Sequence, residues 1–162
     1  MRLVASVAAC VVLLAGAMLA QQPRGTTGEM SARSVMFVPS EAKWSPAPAG
    51  LPAGAEVAVL EGDPSQPGPF TLQLKVPDGY RVEPHWHPTD ERQTVVQGTF
   101  MMGMGNKWTD SEMKELNAGA FVMLPARNSH YVVAKGESIL QVSANGPFDI
   151  TYVDAKDDPR KK

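Results

Sequence analysis

Two histidines and a glutamate fall close together in the segment 79–98, which reads GYRVEPHWHPTDERQTVVQG. His85 and His87 are two residues apart, so in a β-strand both side chains point to the same face. Glu91 follows a turn at 88–90 and can return to the same point from the start of the next strand. Imidazole and carboxylate groups that converge in this way form a binding site for a divalent metal ion.

The third histidine of the chain, His130, lies late in a second alternating run, GAFVMLPARNSH. It would reach the same point from a strand that is distant in sequence. We therefore predict four metal ligands, which are His85, His87, Glu91 and His130. Nitrogen and oxygen donors of this kind suit Fe, Mn, Ni, Zn or Cu, and the sequence does not choose among these ions.

Composition places the chain among single-domain globular proteins. It has 162 residues, of which 43% are hydrophobic and 20% charged, and these values allow a sizeable core. The net charge of −2 gives no reason to expect nucleic acid, which is bound by basic surfaces.

The first twenty residues are predicted to be a secretory signal peptide. Arg2 precedes an apolar run that ends before Gln21, with cleavage favoured after Ala20 and also plausible after Ala17. An uncleaved membrane anchor is the alternative, since the run is near the minimum length of a membrane span. Cleavage would give a periplasmic or secreted protein with no membrane contact. It would also remove Cys10, the one cysteine, and with it any thiolate ligand.

The remaining chain is predicted to be a mobile polar leader over 21–34 followed by one domain over 35–160. A short strand is predicted at 34–38, and the Pro-rich segment 43–56 is predicted to lie extended over the outside of the fold. Further short strands are predicted at 56–61, 70–76, 80–87, 92–97, 99–104, 120–124, 129–134, 138–143 and 150–153. One helical turn is expected near 111–115, and the charged tail is expected to fray. This pattern is typical of an antiparallel β-sandwich or barrel.

The segment around the first two histidines resembles the first signature of the cupin superfamily, G-x5-H-x-H-x3,4-E-x6-G. Every fixed position matches, at Gly79, His85, His87, Glu91 and Gly98.

The second cupin signature, G-x5-P-x-G-x2-H-x3-N, is matched only in part. Gly119, Pro125 and His130 fit it, whereas Arg127 replaces a glycine and Ala134 replaces the asparagine. His130 is the metal-binding position of this signature, so the ligand set is retained.

The resemblance covers residues 35–160 and implies a small, secreted, single-domain cupin with an RmlC-like jelly-roll barrel. The four predicted ligands would then hold one metal ion inside the barrel near one mouth, with two octahedral positions left open. By analogy with other cupins, a homodimer is also expected.

Two functions are compatible with such a site. The first is an enzyme, of the dioxygenase, isomerase or lyase type, that acts on a small metal-chelating organic substrate. The alternative is a non-catalytic cupin of the cell envelope that binds or senses a small ligand. Outside the metal site, Gln93 shares the strand face of Glu91 and is predicted to support it. Tyr131 is predicted to pack in the core, and Met102 and Met104 to pack with Phe100.

Overall fold

Residues 34–162 are described by the computed structural model, and they form a curled antiparallel β-sheet. The predicted signal peptide at 1–20 and leader up to residue 33 lie outside the described residues. The strands are β1 (Ser45–Pro46), β2 (Glu56–Glu61), β3 (Gly68–Val76), β4 (Arg81–Trp86), β5 (Glu91–Met104), β6 (Lys114–Asn117), β7 (Phe121–Leu124), β8 (His130–Gly146) and β9 (Thr151–Tyr152). Four 3-10 helices of three residues each are Pro39–Glu41, Asp110–Glu112, Ala155–Asp157 and Pro159–Lys161.

The two long strands β5 and β8 organise the sheet. The strand order is β1-β2-β3-β8-β4-β9, and β5 pairs with β6, β7 and β8. The first part of β8 pairs with β4 and the second part with β3, so this strand joins both sides of the barrel. Every pairing is antiparallel, as the predicted jelly roll requires.

Strand continuity differs from the sequence prediction in two places. The predicted strands 92–97 and 99–104 are one strand, β5, and the predicted strands 129–134 and 138–143 are one strand, β8. Gly98 does not end β5 but lies at an irregularity in its pairing with β8. Its φ is +75°, and a Cβ there would overlap Ser138, so glycine allows a bend without a chain reversal.

Two local predictions were wrong, the strand at 34–38 and the number of helical turns, and one strand, β6, was missed. Residues 34–38 form no strand, since the segment pairs with no neighbour and Met36 is 92% exposed. Strand β6 was missed because its sequence, KELN, is largely polar. The helical turn predicted near 111–115 is present as the 3-10 helix Asp110–Glu112. Residues 34–162 also contain four 3-10 helices of three residues each, where at most one short helical turn was expected.

Met104 and the C-terminal tail also differ from the sequence prediction. Met102 is buried with Phe100, but Met104 is 45% exposed, because β5 leaves the core before it ends. The tail does not fray: Arg160 bonds to Asp158 and to the carbonyl oxygen of Ile150.

The Pro-rich segment 43–56 packs against the fold as predicted, but it is not extended throughout. Ser45–Pro46 pairs with β2, turns follow at 49–50 and 53–54, and the Ala47 N–H donates to the Ala55 carbonyl oxygen at 3.0 Å. Leu51 packs against the core, and the Tyr80 and Tyr152 hydroxyls donate hydrogen bonds to the carbonyl oxygens of Pro52 and Gly50, at 2.7 and 2.9 Å. Two buried tyrosines therefore fasten this segment to the barrel. Among the described residues, no helix is long and apolar enough to cross a membrane.

Candidate metal centre

Four neighbouring pieces of the barrel bring the predicted ligands together. His85 lies on β4 directly opposite His130, the first residue of β8. His87 follows the end of β4, and Glu91 begins β5 after the intervening turn. All four side chains are buried, with exposed fractions of 8% or less.

Each imidazole is oriented by a backbone carbonyl. The Nδ1 atoms of His85, His87 and His130 lie 2.7, 2.7 and 3.2 Å from the carbonyl oxygens of Glu83, Asp149 and Asn128, respectively. A carbonyl oxygen can only accept, so each Nδ1 carries the proton and donates it. This tautomer leaves the lone pair of every Nε2 available for a metal ion.

The nitrogen atoms converge on one point. One ring nitrogen from each histidine can be chosen so that the three lie within 4.8 Å of one another. The Oε2 atom of Glu91 is 3.5 Å from Nε2 of His87 and 3.6 Å from Nε2 of His130. The structure thus gathers all four predicted residues, with the carboxylate beside two of the three imidazoles.

Burial sets the protonation of this cluster. It is the main reason why the pKa of His85 lies well below its ordinary value, and it lowers the pKa of His87 to about 4. Burial also raises the pKa of Glu91, while His130 and a hydrogen bond from Gln93 oppose that rise. The contacts between Glu91 and the histidines are therefore not salt bridges with charged imidazoles. Neutral imidazole is the form that binds metals.

Within residues 34–162, two buried atoms at the centre of the cluster have no hydrogen-bond partner. They are Oε2 of Glu91 and Nε2 of His130. A buried polar atom without a partner costs about 1–3 kcal/mol. A divalent cation bound at this point would satisfy both atoms, so the residues present fit a metal ion.

The loop before β9 and the C-terminal tail support His87. Its ring stacks on Phe148, with centroids 4.3 Å apart and ring planes at 12°. The next residue, Asp149, supplies the carbonyl oxygen that orients His87 and is held through its side chain by Arg160 at 3.0 Å. Phe148 and Asp149 fall within GPFDITYVD, but no sequence spacing indicated that they would meet the first histidine motif.

The two departures from the second cupin signature are accommodated. Arg127 adopts the left-handed conformation, with a φ of 63°, that a glycine would take more easily. Ala134 is buried and exchanges backbone hydrogen bonds with Gly79 and Tyr80, so no side-chain amide is needed there.

A cavity of about 580 Å³ opens beside the histidine cluster. This volume falls within the range of about 300–1,000 Å³ that is usual for small-molecule sites. Its walls are mainly aliphatic, with inward-facing side chains from three strands: Leu72, Leu74, Val82, Val132, Leu140 and Val142. The histidines, Glu91 and Gln93 provide polar groups on this lining.

Gln93 and Tyr131 lie where strand alternation predicts them. Gln93 is buried beside Glu91. Tyr131 is fully buried and hydrogen-bonds through its hydroxyl to the backbone of Thr109. Arg81 and Glu83, on the same strand as His85, form an ion pair at 2.6 Å and are not part of the cavity lining.

This curled antiparallel barrel with histidines converging inside it is the cupin fold, and comparison with solved structures agrees. KdgF from Halomonas sp. is 20% identical with a TM-score of 0.53, over 70% of this chain and 96% of that chain. An RmlC-like cupin from Shewanella frigidimarina NCIMB 400 is 18% identical with a TM-score of 0.53, over 70% and 91%. The polyketide cyclase RemF from Streptomyces resistomycificus is 14% identical with a TM-score of 0.61, over 80% and 92%.

A family model described as "Domain of unknown function (DUF4437)" matches residues 28–151, and the chain belongs to this cupin-like family. No curated protein matches the chain. The identities to the solved structures are low, so those structures establish the fold and leave the activity to be argued from the site.

Proposed function

We propose that this protein is a metal-dependent enzyme that acts on a small, metal-chelating organic substrate inside the barrel. The observation that carries the proposal is the pair of unpartnered buried atoms, Oε2 of Glu91 and Nε2 of His130, beside an apolar cavity. A site kept only for stability has no use for such atoms, because each one lowers the free energy of unfolding.

The protein's own residues would supply binding, orientation and exclusion of water. His85, His87, Glu91 and His130 would hold one divalent ion, and their nitrogen and oxygen donors suit Fe, Mn, Ni, Zn or Cu. When bound, such an ion polarises a carbonyl or enolate as a Lewis acid or, if redox-active, activates dioxygen. These two chemistries correspond to isomerase or lyase activity and to dioxygenase activity.

The chain itself would favour the reaction through geometry. The three Nδ1–carbonyl hydrogen bonds fix the imidazoles before a substrate arrives, so no reorientation is needed on binding. The aliphatic walls keep water from a bound substrate. The similarity to RemF, a polyketide cyclase, is consistent with a barrel of this kind that accommodates an organic substrate.

The first test is metal analysis of the tag-free protein beside two variants. We expect about one metal ion per chain in the wild type and loss of the ion in His85→Ala. Gln73→Leu is a matched control, since Gln73 is also buried in the barrel but is not part of the cavity lining. A folded wild type that binds no metal, and gains no melting temperature from any added ion, would remove the basis of the proposal.

Activity is tested with the same variants once the metal is known. Dioxygen consumption is the first assay if iron or copper is found, and isomerisation or elimination products are sought if manganese, nickel or zinc is found. His130→Ala should abolish turnover while its folded spectrum is retained. Turnover that survives in this variant would contradict a metal-dependent mechanism.

A non-catalytic binding or sensing role is the second candidate. Among the described residues, no serine, threonine or tyrosine hydroxyl is hydrogen-bonded to a histidine, and the Ser65 hydroxyl that donates to Asp63 at 2.8 Å lies in an exposed turn. This role predicts that a ligand raises the melting temperature and is recovered unchanged. Recovery of a converted product would exclude it.

Export and assembly belong to the same proposal. The apolar run before Gln21 supports a cleaved signal peptide, and the intact mass of the mature protein tests it. A homodimer would cover Phe121 and Met123, which are 62% and 49% exposed on the short strand β7. Light scattering after size-exclusion chromatography measures the subunit number.

A further inference from the structure

The cavity contains a polar group that the metal site does not use, the side-chain carbonyl of Gln93. We propose that Gln93 determines specificity, by accepting a hydrogen bond from a hydroxyl or N–H group of a neutral, mainly apolar ligand. This inference rests on the proposed small-molecule site and names the class of molecule that would enter it.

The position of Gln93 directs its side chain into the barrel. It lies on β5 two residues after Glu91 and two before Val95, and all three side chains are buried on the same strand face. Gln93 is 5% exposed and contributes to the cavity lining. Its Oε1 atom is buried without a hydrogen-bond partner among the described residues. Most buried side-chain polar atoms in folded proteins have a partner, so the missing one is naturally supplied by a ligand.

The neighbouring carboxylate decides which end of the amide faces the ligand. When ionised, Glu91 can only accept hydrogen bonds, so the NH₂ group is the end of the Gln93 amide that suits this neighbour. The carbonyl oxygen, which has no partner among the described residues, is the end left for a ligand. A carbonyl oxygen selects ligands that carry a donor.

Charge around the cavity argues against an anionic ligand. Arg160 is the one lysine or arginine in the lining, and its guanidinium already bonds to Asp158, Asp149 and the carbonyl oxygen of Ile150. Asp63, Glu91 and Asp149 add acidic groups to the lining. Apart from a bound metal ion, no free positive charge lines the described cavity to pair with an anion.

The experiment compares two probes of the same shape. 2-Naphthol and 2-methylnaphthalene differ by replacement of a hydroxyl with a methyl group, and both are neutral and fluorescent. Their dissociation constants are measured by fluorescence titration with the protein as purified and again after treatment with a chelator. We expect 2-naphthol to bind at least about tenfold more tightly in both preparations, because a buried acceptor left unpaired penalises the methyl analogue.

The contribution of Gln93 is isolated with two variants. Gln93→Leu should reduce the preference for 2-naphthol to about twofold or less, because leucine has no acceptor. Gln73→Leu is the matched control, with the same substitution at a buried barrel position outside the cavity lining, and it should retain the full preference. If Gln93→Leu does not fold, Gln93→Met replaces it; if neither folds, the wild-type preference decides.

The outcomes separate this inference from the proposed function. A preference for 2-naphthol that persists in Gln93→Leu but disappears on chelation would mean that the hydroxyl binds to the metal ion. That result would overturn the role of Gln93. Equal binding of the two probes, or binding of neither, would overturn the ligand class. If the wild type binds no metal but the metal-free protein still prefers 2-naphthol, the proposed enzymatic function is wrong and the role of Gln93 is supported.

Discussion

The backbone N–H of Arg127 donates a hydrogen bond to the carbonyl oxygen of His87 over 2.8 Å, although Arg127 has a φ of 63°. The bond joins the two cupin signatures beside the metal centre. Arg127 stands where the family has glycine, and its guanidinium lies 5.3 Å from the ring centre of Trp86. The cation–π contact offsets part of the cost of the left-handed backbone.

Two substitutions separate the backbone and side-chain effects at position 127. Arg127→Ala keeps the strained backbone and loses the stacking contact, whereas Arg127→Gly loses the contact but relieves the strain. We expect the glycine variant to be more stable than the alanine variant by about 1–2 kcal/mol, the cost of a left-handed L-residue. Urea unfolding of both variants measures the difference. Equal stabilities would mean that this turn relaxes when the arginine is removed.

We expect Glu91 to lower the free energy of unfolding of the metal-free protein and to strengthen metal binding. In metal-free protein, Glu91→Gln should raise the free energy of unfolding by about 1–3 kcal/mol, because an amide N–H can reach the unpaired Nε2 of His130. The same variant should bind metal more weakly, so added metal should stabilise it less than the wild type.

The matched control is Glu115→Gln, since Glu115 is an exposed carboxylate paired with Lys135 at 3.0 Å. Its effect should stay within about 0.5 kcal/mol. Thermal unfolding with and without metal measures the stability of both variants and of the wild type. A metal-free Glu91→Gln protein that is less stable than the wild type would show that Glu91 is a structural residue.

Acidification should destabilise the metal-free protein. The pKa of His87 falls from its ordinary 6.5 to about 4 in the folded state, so below about pH 6.5 the unfolded chain binds more protons than the folded one. Stability is therefore lost as the pH falls from about 6.5 towards 4, and His87 alone contributes up to about 3 kcal/mol. His85 and His130, whose pKa values are also lowered, act in the same direction.

Glu91 opposes this trend, because its raised pKa stabilises the folded state at low pH and that contribution is lost as the pH rises. Three histidines outweigh one carboxyl, so the net slope should follow the histidines. Urea unfolding at about pH 7 and about pH 4.5 measures it, and His87→Gln should show a smaller fall. Equal falls in the variant and the wild type would mean that His87 is charged in the folded protein.

Arg160 is predicted to position His87 through Asp149. Arg160→Met removes the bonds to the Asp149 side chain and to the carbonyl oxygen of Ile150. The carbonyl of Asp149 should then hold His87 less firmly, and metal affinity should fall by about tenfold. Lys156→Met is the control on the same tail, because Lys156 is exposed and forms an ion pair with Asp154 at 2.7 Å. Titration with the native metal compares the two, and equal affinities would assign Arg160 a purely structural role.

Much of the site was predictable because it depends on local periodicity. The i, i+2 spacing of His85 and His87 forces both onto one strand face, and the turn before Glu91 returns the chain at once. The strand predicted at 70–76, in which Leu72 and Leu74 alternate with polar residues, is likewise found as part of β3. The antiparallel barrel followed from the number and spacing of such strands.

The remaining features depend on contacts that no local pattern encodes. The sequence predicts breaks between 97 and 99 and between 134 and 138, but pairing across β5 and β8 carries the strands through Gly98 and Gly136. The segment at 34–38 has strand-forming residues but no partner, and a strand exists only where a neighbour completes its hydrogen bonds. Only the tertiary structure placed Asp149 and Arg160 behind His87 and aimed Gln93 at the cavity, because strand register and chain closure decide which distant residues meet.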